Sequence, residues 1–235
     1  MLILAFETSA KAASVALTEN GKLLGESYQN TGLTHSQTLM VMAEDLLKQV
    51  GKTVNDITAV AVAEGPGSFT GVRIGVAAAK GFAWGRELPC YGISTLEAMA
   101  VSLGAYEGHV CACMDARRNQ VYNALFYVNQ GQPERFREDR AISLAELKNE
   151  LEHIDGPIFL VGDGAELTHK TLSGDIPNLI LPPEHRRHQR AVGVALLAEK
   201  KCAAGEKGDG NGLNPNYLRL SQAERERAEK LKITN

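Results

Sequence analysis

Two stretches of the chain share one hydrophobic pattern. The run LILAF (2 to 6) is apolar at every position and ends on Glu7, and VCACM (110 to 114) does the same and ends on Asp115. Short aliphatic runs closed by polar bends read as strands buried on both faces. Each is followed by a few small polar residues, then an alternating segment, AASVALTEN in the first copy and VYNALFYV in the second. Each copy then reaches a turn signal, Asn20-Gly21 in the first and Asn129 to Gly131 in the second. The spacing from carboxylate to turn asparagine is nearly the same in both, which predicts a duplicated three-strand meander.

Helices and strands alternate after each meander. THSQTLMVMAEDLLKQVG (34 to 51) has helical periodicity, a capping box of Thr34 with Gln37, and Gly51 as its stop. A strand at 57 to 63, a helix at 70 to 84, a strand at 88 to 93 and a short helix from Ser94 follow. The second half predicts a helix at 143 to 152, a strand at 157 to 162, a turn at Gly162 to Gly164 and a helix at 165 to 172. One long helix over 185 to 205, with a basic start, comes next. EKGDGNGLNPN is a loop by composition, and SQAERERAEKLK is a charged helix with a Ser221/Glu224 capping box. Two such α/β halves resemble the plan of the duplicated actin/Hsp70-like ATPase fold, which is ribonuclease H-like, with two lobes each holding a mixed sheet flanked by helices. The expected lobes are 1–106 and 107–235, the second carrying the C-terminal tail.

The glycine-rich stretch EGPGSFTGVRIG (64 to 75) lies where phosphate loops are found, between strand and helix, but three chemistries fail there at single positions. A P-loop needs Gly-Lys-Ser/Thr, and Gly71 is followed by Val72 and Arg73. A dinucleotide fingerprint needs a glycine where Thr70 stands, and a nucleophile elbow needs glycines where Ser68 has Pro66 and Thr70. Glu7-Thr8-Ser9 and Asp115 occupy the places that face nucleotide phosphates and magnesium in the actin-like plan. Neither bend carries the glycine that lets a backbone wrap a phosphate. Two readings stay open for these residues: carboxylates that cap turns or pair with Arg117 or Arg118, or a weakened nucleotide site.

His35 is followed one helical turn on by Leu39, so that helix lacks a second metal ligand. Cys90, Cys111, Cys113 and Cys202 form no Cys-x-x-Cys pair and read as buried thiols. With 25 Lys+Arg against 28 Asp+Glu the chain lacks the basic excess of a protein that grips nucleic acid unaided. The run His185 to Arg190 is either a solvated helix start or an edge that touches RNA. There is no basic leader and no run near the ~20 apolar residues of a membrane span. A cytoplasmic protein with no membrane association is expected.

The string Gly-Pro-Gly-Ser-Phe-Thr-Gly-Val-Arg-Ile-Gly, with DARRNQVY (115 to 122) and NPNYLR (214 to 219), resembles the TsaB family of bacterial tRNA threonylcarbamoyladenosine biosynthesis proteins essentially end to end. The resemblance implies a subunit without catalysis of its own. Its partner would be a larger homologue, TsaD, which holds the metal and transfers the threonylcarbamoyl group to the adenosine 3′ of the anticodon in tRNAs reading A-starting codons. The ATPase TsaE joins the pair, and tRNA is met only through the complex. The catalytic homologue carries His-x-x-x-His where this chain has His35 and Leu39. No cofactor of its own is implied, and ADP or ATP is a candidate only at an interface shared with partners. Helices 34–50 and 70–84 are the expected partner surface, through Leu39, Met42 and Leu46 on the first and Gly71, Arg73, Gly75 and Ala79 on the second. The glycines would let a partner backbone approach, and the same face would make a homodimer when the partner is absent. The rival reading is a self-sufficient small hydrolase, glycoprotease-like, or a nucleotide-binding enzyme.

Overall fold

The computed structural model describes residues 1–104 and 107–219. β1 (Leu2–Glu7), β2 (Ala13–Glu19) and β3 (Lys22–Gln29) form the first meander, and β4 (Ala59–Gly65) and β5 (Cys90–Ser94) add in parallel on the free side of β1. The resulting order is β3-β2-β1-β4-β5. β6 (Gly108–Asp115), β7 (Gln120–Asn129), β8 (Gln132–Ser143), β9 (Ile158–Val161) and β10 (Leu179–Ile180) repeat the arrangement as β10-β9-β6-β7-β8. The strand at the centre of each sheet is therefore the one that ends on a carboxylate. Its apolar run has a physical reason: Leu2, Leu4 and Phe6 enter one core while Ile3 and Ala5 enter another. The hairpin turns hold two successive left-handed residues, Asn20 and Gly21 in the first and Gln130 and Gly131 in the second, so Asn129 is the last strand residue rather than part of the turn.

On the outer face of the first sheet lie α1 (His35–Gln49) and α2 (Phe69–Trp84), and on the matching face of the second lie α4 (Leu144–Leu151) and α5 (Ala165–Leu172). Between the sheets run α3 (Thr95–Leu103) and α7 (Ala191–Ala203). Leu96, Met99 and Leu103 of α3 pack on Val110, Ala112 and Met114, whereas Ala191, Val194, Ala195 and Ala198 of α7 pack on the alanine-rich face of β1 and β4. The two helices meet where a Cβ on Gly193 would overlap the Ala98 carbonyl. A helix late in the chain thus completes the core of the first sheet. The lobe boundary expected near residue 106 and the helix with the Ser221/Glu224 box both fall outside the described residues.

Three expectations are corrected. The long helix over 185–205 is two helices, α6 (Glu184–Arg187) and α7, separated by extended backbone at His188 and Arg190. Tertiary contacts override the helical pattern here. Gly162 N–H donates to the Arg187 carbonyl at 2.5 Å, Gln189 Nε2 donates to Asp163 at 2.9 Å, and Arg190 pairs with Glu26 at 2.6 Å. Second, Thr34 is the N-cap of α1, but its side chain makes no capping bond. The entry is held by Gln37 N–H on the Thr34 carbonyl and by His35 Nε2 on the Ala10 carbonyl at 2.8 Å.

The third correction concerns the expected partner surface. Leu39, Met42, Leu46 and Ala79 are buried in the first lobe's own core, and Gly71 and Gly75 are buried against the bend that follows β1. A Cβ on Gly67 would stand 2.5 Å from the Ser9 carbonyl, one on Gly71 would overlap the Thr8 carbonyl, and one on Gly75 would overlap Thr8 Oγ1. Thr8 Oγ1 itself donates to the Gly71 carbonyl at 2.8 Å. The glycines therefore admit the chain's own backbone, which occupies the room that a partner was expected to use.

Gly71→Ala should lower unfolding stability by about 2 to 3 kcal/mol, because the overlapping atom is backbone and cannot swing away. Gly81→Ala, at an exposed position of α2 with open space around it, should raise stability by about 1 kcal/mol. Urea midpoints of the two variants check this, and a neutral Gly71→Ala would show that the bend is not tightly packed.

Candidate functional site

A cleft of about 540 Å³ opens between the lobes, with Ser9, Lys11, Ser68, Asp115, Asp163 and Tyr217 among its walls. The ends of β1 and β6 bring Glu7 and Asp115 toward it. Glu7 is fully buried; its Oε1 accepts from Ser9 N–H at 2.6 Å, while Oε2 has no partner. Desolvation pushes its carboxyl up to about 7, against the Ser9 hydrogen bond, and the nearby Asp163 carboxylate adds to the rise. Asp163, in the glycine turn after β9, is raised as well, again chiefly by burial and in spite of the Gln189 hydrogen bond. Asp115 accepts from Arg117 N–H at 2.7 Å and from the Arg117 guanidinium at 3.0 Å. Both carboxylates thus cap the turn that follows their strand.

This capping decides what the cleft can hold. A phosphate is held in such a bend by free backbone N–H groups. Here Ser9 N–H is taken by Glu7, Arg117 N–H by Asp115, and Ala116 N–H by the Gln120 carbonyl at 3.0 Å. Ser68 N–H is taken by the Ser9 carbonyl at 2.6 Å. These four donors are thereby lost to a phosphate cradle of the actin-like kind. Nor is a nucleophile set assembled, since among the described residues no serine or cysteine is hydrogen-bonded to a histidine, and no group of three or more His, Cys, Asp or Glu is placed to hold a metal. Asp163 and Gln189 were missed in the sequence, although Gly162-Asp163-Gly164 after an apolar strand was a usable signal for the first.

The family described as "TsaD: tRNA N6-adenosine threonylcarbamoyltransferase" matches residues 29–224. The tRNA threonylcarbamoyladenosine biosynthesis protein TsaB of Bacillus subtilis is 33% identical over 226 residues, covering 95% of this chain and 96% of that protein. The chain belongs to the TsaB family. The structure of YeaZ from Pseudomonas aeruginosa superposes with a TM-score of 0.72 at 27% identity, covering 92% of this chain and 99% of that one. Component A of the (R)-2-hydroxyglutaryl-CoA dehydratase of Acidaminococcus fermentans superposes at 0.52 with 12% identity, over 86% of this chain and 99% of that one, a likeness of fold alone. The fold is the duplicated actin/Hsp70-like ATPase fold that the two-lobed pattern resembles.

Within this TsaB-family chain, α1 and α2 retain outward apolar side chains. Met40 and Val41 on α1, with Leu33 just before it, are exposed, and Trp84 at the end of α2 is 82% exposed. Ala77 and Gly81 continue that side of α2. Arg73, expected to flank a partner, is exposed and engaged by the C-terminal segment: its Nε donates to Tyr217 Oη at 2.7 Å and its guanidinium lies 4.0 Å from the Phe69 ring centroid. Lys80 likewise donates to the Leu213 carbonyl at 2.9 Å. A larger concavity of about 780 Å³, between Lys80, Trp84, Leu88 and Gly208–Asn211, lies at the other end of α2 from the carboxylates. No helix among the described residues is long and apolar enough to cross a membrane.

The raised Glu7 pKa sets a pH dependence. The folded chain holds this proton more tightly than the unfolded chain, so the Glu7 contribution to stability is complete below about pH 4.5, declines as pH rises toward 7, and stays low above. Glu7→Gln keeps an oxygen for Ser9 N–H and removes the decline. The variant should therefore gain on the wild type from pH 5 to 8, reaching an advantage of about 3 kcal/mol. His109 and His188, whose pKa values burial lowers, act in the opposite sense and cancel in the difference. Denaturant midpoints across that range check this; parallel profiles would show that Glu7 is ionised in the fold at neutral pH.

Proposed function

We propose that this chain is the non-catalytic subunit of the complex that forms N6-threonylcarbamoyladenosine beside the anticodon of tRNAs reading A-starting codons. It binds and supports the larger metal-bearing homologue, TsaD, together with the ATPase TsaE. The observation that carries the reading is the likeness to the Bacillus subtilis TsaB protein along 95% of the chain. The site agrees with it. Leu39 is a core residue where the catalytic homologue would carry its second histidine, and His35 Nε2 is spent on the Ala10 carbonyl. Four backbone donors of the bends are satisfied internally, which favours an interface shared with partners as the place for any ADP or ATP. The near-balanced charge supports contact with tRNA only through the assembled complex, in the cytoplasm where tRNA is modified.

The partner face in this reading is the outward side of α1 and α2, made of Met40, Val41, Ala77 and Trp84. Exposed apolar groups on the two helices lose contact with water when a homologous helix pair covers them. The same face pairs two copies of this chain when the homologue is absent.

The test is reconstitution of tRNA threonylcarbamoylation with the homologue, the ATPase and the synthase of the threonylcarbamoyl donor, with and without this chain, which should be required for turnover. Val41→Arg and Ala77→Arg, both pointing to water in the monomer, should keep the fold by circular dichroism. Each should weaken association with the homologue by about 2 kcal/mol or more, roughly thirtyfold, in a calorimetric titration. Turnover without this chain would remove the subunit role, and wild-type affinity in both variants would move the interface elsewhere.

A further inference from the structure

Residues 211–219 form neither helix nor strand, yet the segment is held at nearly every step. Leu213 is buried in the first lobe's core and anchors it. Beyond Leu213 the contacts change in kind. Asn216 N–H donates to the Glu64 carbonyl at 2.6 Å, and the Asn216 carbonyl lies so close to Gly65 that a Cβ there would stand 2.5 Å away. The Tyr217 ring stacks on Phe69, centroids 4.2 Å apart and planes 18° from parallel, with the Arg73 guanidinium 4.0 Å from Phe69 and 5.6 Å from Tyr217. Arg219 then reaches the other lobe, where its guanidinium donates to the Ala116 carbonyl at 2.6 Å.

That last contact lands on a bend under strain. Arg117, Arg118 and Asn119 follow one another with φ of 66°, 58° and 55°, a left-handed run that non-glycine residues rarely adopt. Residues Asn216 to Arg219 also form one wall of the cleft between the lobes. The segment therefore touches the glycine turn of the first lobe, the start of α2, and the strained bend of the second lobe within a few residues. Its grip past Leu213 rests on polar and stacking contacts at the surface, with Tyr217 37% exposed, so it can let go without opening a core.

We propose that residues 214–219 are a releasable strap that holds the two lobes together across the cleft, with Tyr217 as its clasp on Phe69 and Arg73 and Arg219 as its tie to the second lobe. Release frees one wall of the cleft and leaves the Ala116 bend without its tether.

Hydrogen exchange on the full chain tests this. Tyr217→Ser should speed exchange about three- to tenfold at once in the strap, in the turn at 64–68 and in the bend at 116–119, with amides inside β1 and β6 unchanged. Arg219→Ala should speed the 116–119 bend alone and leave Asn216 protected. Tyr217→Phe, which keeps the stack and loses the Arg73 bond, should fall between wild type and Tyr217→Ser. A strap loosened by Tyr217→Ser over a bend that exchanges at the wild-type rate would overturn the proposal. So would an unchanged bend in Arg219→Ala, or acceleration that extends into β1 and β6.

Discussion

The approach of the Thr8–Ser9 bend to the backbone of the glycine turn and α2 is the contact on which the rest of the molecule depends. It brings main chain against main chain at Gly67 and Gly71, and Gly75 leaves room for the Thr8 side chain. Ser68 N–H on the Ser9 carbonyl and Thr8 Oγ1 on the Gly71 carbonyl then lock it. Three things follow. Glu7, at the end of β1, is sealed away from water; α2 takes its angle across the first sheet; and the Ala77 side of α2 is turned outward.

The same closeness accounts for the chemistry of the cleft. In the two bends, Ser9 and Arg117 N–H are taken by the chain's own carboxylates, each reaching forward two residues to a backbone N–H. A carboxylate buried this way cannot also serve an incoming anion, and a phosphate would have to displace it into a poorly hydrated interior.

Cohesion between the lobes has further sources. α3 and α7 lie side by side between the sheets, and the N-terminus of α7 is pinned to the first lobe by Glu26. That carboxylate pairs with Arg190 and accepts from Ser14, whose oxygen in turn accepts from Ala191 N–H at 3.1 Å. At the front, Ser94, the N-cap of α3, donates to Asp139 of β8, and Arg135 of β8 reaches back to Glu97 at 3.1 Å. The C-terminal segment adds its crossing at Arg219.

The sequence by itself determined the strands apart from the short β10, most of the helices and the duplication. These follow from periodicity and turn chemistry acting over a few residues: the two-sided apolar runs of β1 and β6, the Asn20-Gly21 turn, the Ser94 cap. It also marked Glu7 and Asp115 at the ends of the central strands and the glycines that must be small. What the glycines were small for, only the tertiary structure decided. Helical spacing places Gly71, Gly75 and Ala79 on one face, yet it carries no information on whether that face meets a partner or the Thr8 bend, sixty residues earlier in the chain. The break at His188 to Arg190 has the same origin, because the groups that straighten the backbone there, Gly162, Asp163 and Glu26, are supplied by distant strands and turns. Local pattern records which positions are apolar or small; which surfaces come together depends on contacts between segments far apart in sequence, and those form only when the whole chain has closed.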